Sequence, residues 1–182
     1  MADRTTSLVS TVTPFTWADW SALWTIRIMQ LAEHGIQLDP TMLPARPQPS
    51  LDHPHEWDFH HLDQVYLCGA GHFWIARCAE QPIGYVGGQD LGGAIELRRM
   101  YVNVFYRRRG IGSTLVQALI DRSRAYAISA IELWTAAQGP GRRLYERLGF
   151  QVRAEPGAEF ADVISRTRYT PGDDEIRMRL KL

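Results

Sequence analysis

Polar and apolar positions change rhythm several times along the chain, and each change marks an element. Ser7–Thr13 alternates through Leu8, Val9, Thr11 and Val12 and predicts a first strand, stopped by Pro14. Thr16 is placed to cap a helix from Trp17 to about Glu33, in which Trp20, Trp24, Ile28 and Leu31 recur at steps of four, four and three. Pro40, Pro44, Pro47, Pro49 and Pro54 then exclude a regular helix or a central strand, so Gly35 to Pro54 reads as an irregular connection. A second helix, about Glu56 to Tyr66, leads through Gly69 and Gly71 into a strand beginning at Phe73. Farther on, Ile111, Leu115, Val116, Leu119 and Ile120 share one helical face, which makes Ser113 to about Arg124 an amphipathic helix. Ala130–Thr135 reads as a strand, Pro140–Leu148 as a helix and Phe150–Val152 as a short strand. Glu155 to Asp174 is a polar excursion whose Arg166, Arg168 and Tyr169 are candidates to reach a substrate. In Glu175–Leu182, Ile176, Met178, Leu180 and Leu182 alternate with charged residues, the pattern of a final strand.

The chemistry is concentrated where an apolar strand runs into Arg107-Arg108-Arg109-Gly110-Ile111-Gly112 and a helix opens. Unpaired amides, a positive helix end and guanidinium charge together suit a pyrophosphate. Gly110 and Gly112 permit positive φ and close approach of the backbone to phosphate oxygens. Two familiar nucleotide motifs fail on these residues. A P-loop needs a lysine, and the chain's single lysine is Lys181; a Rossmann fingerprint needs a third glycine where Leu115 stands. An arginine-flanked surface turn is the other reading of the string taken alone.

The strand, the R-x-x-G-x-G turn made by Arg107, Gly110 and Gly112, and the helix resemble motif A of the GCN5-related N-acetyltransferases. Leu144-Tyr145-Glu146-Arg147-Leu148-Gly149-Phe150 is similar to the same family's L-Y-E-x-x-G-F signature, and it falls downstream in the expected order. Phe73–Ala79 and Pro82–Val86, with Glu80-Gln81 in the turn, look like the hairpin that precedes the family's cofactor strand. The similarity covers Phe73 to Leu182. It implies an α/β fold in one domain over residues 1–182, with a mixed, mostly antiparallel sheet of six to seven strands flanked by helices. It also implies acetyl-coenzyme A as acyl donor. The turn residues Arg107, Arg108, Arg109, Gly110, Ile111, Gly112 and Ser113 would hold its pyrophosphate, and Met100, Tyr101 and Val102 would meet the pantetheine arm through main-chain groups and supply an oxyanion N–H. Gln138 stands where the family commonly has asparagine, and Arg143, with Arg142, is a candidate for the 3′-phosphate or a solvent-facing residue.

The implied reaction moves acetyl to a primary amine by direct attack in a ternary complex. Such a transfer needs a neutral amine, a stabilised oxyanion and a proton for the departing thiolate. Glu96, six positions before Val102, matches the place of the family's catalytic glutamate and is the candidate base. Strict alternation puts Glu96, Arg98, Met100 and Val102 on one face of the strand Ile95–Val102; a carboxylate paired with Arg98 or Arg77 is the rival role. Tyr145 matches the family tyrosine and is the candidate acid, with helix–sheet packing as its alternative. A non-catalytic acyl-coenzyme A sensor would share the turn and need neither residue.

Composition constrains the partners. At 182 residues and 45% hydrophobic content the chain suits one sizeable core, and Cys68 and Cys78 are too few for a disulfide framework. No apolar run has the length of a signal peptide or a membrane span, so the expectation is a cytoplasmic protein with no membrane partner. A net charge of zero argues against general nucleic-acid binding. The charge is uneven, however: residues 1–95 carry 4 basic and 10 acidic side chains, and residues 96–182 carry 16 and 10. The basic half holds the phosphate turn, while the acidic half weakly suggests a cationic acceptor. His53, His55, His60 and His61 lack metal-ligand spacing, so no metal is expected. The acceptor is a small-molecule or peptide amine, and homodimerisation is compatible with the family.

Overall fold

The computed structural model describes residues 10–37, 47, 56–153 and 172–182. Most of the proline-rich connection and of the polar excursion, with His53, His55, Arg166, Arg168 and Tyr169, lies outside them. Seven strands run β1 (Ser10–Pro14), β2 (His72–Cys78), β3 (Gln81–Asp90), β4 (Ala94–Val102), β5 (Ala130–Ala136), β6 (Gln151–Arg153) and β7 (Glu175–Lys181). Helices are α1 (Trp20–Glu33), α2 (Trp57–His60), α3 (Leu62–Val65), α4 (Ile111–Ala125) and α5 (Pro140–Arg147). The sheet order is β1-β2-β3-β4-β5-β7-β6, antiparallel throughout except at β4·β5. A single seven-stranded, mostly antiparallel sheet with helices on its faces is the architecture expected from the sequence.

Each face of the sheet packs its own core. Leu115, Val116, Leu119 and Ile120 of α4 meet Ile83, Val86, Ile95, Leu97, Ile131 and Leu133, with Tyr145 of α5 in the same cluster. Each fully buried aliphatic side chain contributes roughly 1.5–3 kcal/mol. On the other face Leu23, Trp24 and Ile26 of α1, with Phe59, Leu62 and Tyr66, cover Phe73, Ile75, Tyr85 and Tyr101. The entry to α1 is fixed by Asp19, whose carboxylate accepts from the Thr16 N–H at 2.8 Å and from its hydroxyl at 3.0 Å. The helix expected over Glu56–Tyr66 is instead two short turns, because His61 (φ −124°, ψ 36°) leaves the helical region between them. His60 is buried against Trp24, with ring centroids 5.1 Å apart, and the His61 Nδ1 meets the Trp57 carbonyl at 2.7 Å. No helix among the described residues is long and apolar enough to cross a membrane.

Two irregularities shape the centre of the sheet. The parallel pairing of β4 with β5 holds only at Ala94↔Ala130, Ile95↔Ile131 and Glu96↔Glu132, after which the strands part. Within β4 the register against β3 slips between Tyr85↔Tyr101 and Gly87↔Arg98, so β4 carries one extra residue there. Arg99 takes φ +54° in this bulge. The expected alternation is therefore wrong beyond Arg98. Met100 and Val102 pack on the α4 side, whereas Glu96 lies on the face opposite its core-facing neighbours Ile95 and Leu97. An inserted residue reverses the parity of all that follow it.

Candidate active site

The turn from Asn103 to Gly112 is built as its residues dictate. Asn103 accepts from the Phe105 N–H at 3.1 Å and starts a 3₁₀ turn over Val104–Tyr106; Arg108 (φ +62°) and Gly110 (φ +82°) then turn the chain into α4. The first intrahelical bond runs from the Thr114 N–H to the Gly110 carbonyl at 3.0 Å. The amides of Ile111, Gly112 and Ser113 thus stand at the helix start without an intrahelical acceptor. The two glycines serve differently. A Cβ at Gly110 would meet open space, so the requirement there is the positive φ; one at Gly112 would come within 3.1 Å of Met100 Cε and 3.3 Å of Leu144 Cδ2. The expectation of positive φ is thus met at Gly110, while Gly112 lies within α4, where the missing Cβ leaves room for Met100 and Leu144.

The arginines of the motif separate in role. Arg107 donates from Nε to the Val102 carbonyl at 2.7 Å and from its other end to Glu33 of α1, so its side chain braces the turn. Glu33 also accepts from the Tyr101 hydroxyl at 2.6 Å, and these two donors lower its pKa against the opposing effect of burial. Arg109 lies over the Tyr106 ring at 5.9 Å, and Arg108 is exposed. Beyond the turn, Arg142 is committed to Glu146 at 2.7 Å and to the Ala137 carbonyl at 3.1 Å. Arg143 and Gln138 are both exposed near the start of α5.

From the turn, a gap runs between β4 and β5 down to Glu96. The Asn103 N–H bonds Ile83 of β3 at 2.8 Å, so alternation turns the N–H groups of Val102 and Met100 to the opposite edge, toward the gap. Tyr101 differs from its neighbours, directing its peptide toward β3 and its ring toward α1. Met100 and Val102 thus offer main-chain groups along an edge that β5 leaves unpaired.

Glu96 sits where the two strands part. Its residue is 3% exposed, and its Oε2 is buried with no hydrogen-bond partner. Burial pushes the carboxyl up to about 7 against the pull of Arg98, and Glu132 and Asp58 add to the rise. Neighbouring Glu132 accepts from Arg177, with the Nε contact at 3.0 Å, and from Arg179 Nη1 at 3.0 Å. Glu96 is therefore the carboxylate of this pair suited to exchange a proton near neutral pH.

The bulge is locked from outside. Arg99 grips Asp58 of α2 through two contacts of 2.7 and 2.6 Å, lies 4.9 Å over the Phe59 ring, and shares Asp58 with the Tyr66 hydroxyl. Burial would raise the Asp58 pKa, but Arg99 overrides it and holds the carboxyl down to about 2. Sequence reasoning missed this network, although two adjacent arginines inside an alternating strand were a visible break of period.

Tyr145, on the α5 side of the sheet, is 5% exposed and packs edge-on to Phe150 at 5.6 Å. Burial raises its pKa, and its hydroxyl has no hydrogen-bond partner among the described residues. A protonated phenol with an uncommitted O–H is available to donate. The structure thus brings Glu96, the Met100 and Val102 amides and the turn to one split in the sheet, with Tyr145 on the helix that follows β5.

Comparison with known proteins agrees with this fold. The N-acetylaspartate synthetase of Xenopus tropicalis is 33% identical over 98 residues, covering 52% of this chain and 36% of that protein. The chain spans little more than a third of the length of the first curated relatives it matches. An acetyltransferase of the GNAT family from Staphylococcus aureus superposes with a TM-score of 0.70 at 19% identity over 96% of this chain and 99% of that one. The PaiA N-acetyltransferase of Thermoplasma acidophilum, solved in complex with coenzyme A, gives 0.64 at 16% identity over 96% and 99%. The family model described as Acetyltransferase (GNAT) family matches residues 42–150, more than half of the sequence, and the chain belongs to that family.

Proposed function

We propose that the protein is an acetyl-coenzyme A-dependent N-acetyltransferase that acetylates a primary amine by direct attack in a ternary complex. The observation that carries this reading is the buried Glu96 carboxyl, whose Oε2 has no hydrogen-bond partner, at the point where β4 and β5 separate. The amides of Ile111, Gly112 and Ser113 receive the pyrophosphate, with Gly110 shaping the turn, Arg109 and Arg108 adding charge and Arg107 bracing it. The pantetheine arm lies along β4 as an added strand, its amides meeting Met100 and Val102. Arg143 and Gln138 lie at the rim, open to the remaining phosphate and the arm.

In the transfer, Glu96 accepts a proton from the acceptor ammonium, leaving a lone pair on nitrogen. That pair attacks the thioester carbonyl, and a β4 main-chain N–H near Met100–Val102 holds the developing oxyanion. As the oxyanion collapses the C–S bond breaks with its electrons on sulfur, and Tyr145 supplies the proton that completes the thiol. The adduct's second nitrogen proton returns to the Tyr145 phenolate and the proton on Glu96 leaves to solvent, so ammonium and thioester give amide, free coenzyme A and one released proton. Supporting the reading is the similarity to relatives named as N-acetyltransferases and synthetases of N-acetylated compounds. Titration calorimetry with acetyl-coenzyme A and thiol release with an amine panel test it. Absence of coenzyme binding, or binding without turnover, refutes it.

A further inference from the structure

The face that carries Glu96 continues past β5 without a described helix to cover it, and its described residues are mostly arginines. Ile131, Leu133, Ile176, Met178 and Leu180 pack on the α4 side, so the residues between them, Glu132, Arg177 and Arg179, share the Glu96 face. Register fixes their neighbours. Glu96 pairs with Glu132, Glu132 with Arg179, and Arg177 with Arg153 of β6, and directly paired residues lie on one face. With strands about 4.8 Å apart, Glu96 and Arg179 are separated by about 10 Å between Cα atoms, within reach of two long side chains.

Among the described residues, the groups beside Glu96 on this face are Arg98, Arg153, Arg177 and Arg179 with the carboxylate of Glu132. Arg99 and Asp58 neutralise each other, and Glu175, farther along β7, accepts from the Gly172 N–H at 2.9 Å. Glu132 serves both Arg177 and Arg179, while Arg153 is exposed and has no ion pair among the described residues. Mutual repulsion is evident at Arg177, whose pKa falls through burial and through Arg153 and Arg179 despite Glu132. Two buried polar atoms in this row also lack partners: Glu96 Oε2, an acceptor, and Arg179 Nε, a donor. One suits an ammonium and the other an anion.

From this complementarity we infer that the amine acceptor is itself anionic, an amino acid or a related amino carboxylate. Its ammonium meets Glu96, and its carboxylate is held by the Arg179–Arg153 side of the sheet. The inference rests on the acetyltransferase reading above and names the acceptor class for that site. It reverses the cationic preference suggested by the acidic N-terminal half, because the acceptor face is built from β4, β5, β6 and β7 in the basic half of the chain.

The test compares aspartate, glutamate and glycine with glycinamide and spermidine as acceptors, using the full chain and acetyl-coenzyme A. Glycinamide has the less basic amine, so chemistry alone favours it; preference for the carboxylates by tenfold or more in kcat/KM is the expected result. Arg153→Gln, a surface change, should raise the KM of the best amino acid about fivefold or more while leaving the KM of acetyl-coenzyme A within twofold. Arg153→Lys should restore part of the loss, and Arg179→Gln should act in the same direction. Glycinamide or spermidine turned over as well as the amino acids, or an unchanged acceptor KM in Arg153→Gln, overturns the inference and leaves the acetyltransferase reading standing. No coenzyme binding by calorimetry, or binding with no amine acetylated, overturns both.

Discussion

Replacing Glu96 by glutamine should make the protein more stable and nearly inactive, and the two effects should have different pH dependences. The carboxyl rises from its ordinary 4.5 to about 7, through burial above all. At about 1.4 kcal/mol for each tenfold change in proton affinity, ionised Glu96 costs the folded state about 3 kcal/mol. Below pH 4.5 it is protonated in both folded and unfolded chains, and glutamine is close to neutral. Between pH 4.5 and 7 the unfolded chain alone gives up the proton, so wild-type stability falls through that window and is level above it. Glu96→Gln should accordingly raise Tm at pH 8 by about 5 °C or more and change it little at pH 4. Thermal melts at the two pH values measure this directly. Turnover should move the opposite way, falling by about 10²–10⁴ as expected for loss of a general base. The wild-type kcat/KM should climb with pH through a limb near 7 that stays in place for acceptors of different amine pKa. A variant with wild-type turnover, or a Tm gain equal at pH 4 and pH 8, would refute the assignment of a desolvated base.

Tyr145→Phe removes only the hydroxyl and keeps the contact with Phe150, so kcat should fall at least tenfold while Tm and the acetyl-coenzyme A KM stay near wild type; steady-state kinetics and melts separate this from a packing role. Gly112→Val should weaken calorimetric binding of acetyl-coenzyme A at least tenfold and cost about 1–3 kcal/mol, because its Cβ already crowds Met100 and Leu144. Gly112→Ala should be milder, since Met100 Cε is the free end of a flexible chain. Asp58→Asn should cost about 3–5 kcal/mol in urea unfolding by leaving Arg99 buried without its carboxylate. In the wild type, the depressed Asp58 pKa supports the fold above pH 3.8 and loses about 2 kcal/mol as pH falls toward 2, a loss visible as acid unfolding that Asp58→Asn lacks.

What could be read from the chain, and what could not, divides by the range of the interactions concerned. The turn at Gly110, α4 and the closing strand are local: positive φ, a 3.6-residue period and a two-residue period are each written in a dozen adjacent positions. The bulge at Arg98–Arg99 is not local. Its cause is Asp58, forty-one positions away, whose carboxylate holds a positive-φ arginine against Phe59 and so reverses the faces of Met100 and Val102. Period alone could not anticipate it, and it separates the side chain of Glu96 from those of the two residues whose amides line the same gap. Arg107 teaches the same lesson: its position in the motif was legible, but its guanidinium serves Glu33 and the Val102 carbonyl.

The charge pattern gives the strongest example. Counted along the sequence, acidic residues collect in the N-terminal half and suggest a cationic acceptor; folded, Asp19, Glu33, Glu56 and Asp58 each meet an arginine. Those pairs tie α1 to the start of α2 and to the turn at Arg107, Asp19 to β2, and α2 to β4. Arg153, Arg177 and Arg179 instead reach the Glu96 face through the β5-β7-β6 register, where Arg177 and Arg179 pair with Glu132 and Arg153 has no ion pair among the described residues. The half of the sequence that suggested the acceptor's charge is therefore not the half that builds its face. What decides the local field is the surplus after pairing, and among the described residues beside Glu96 that surplus is positive.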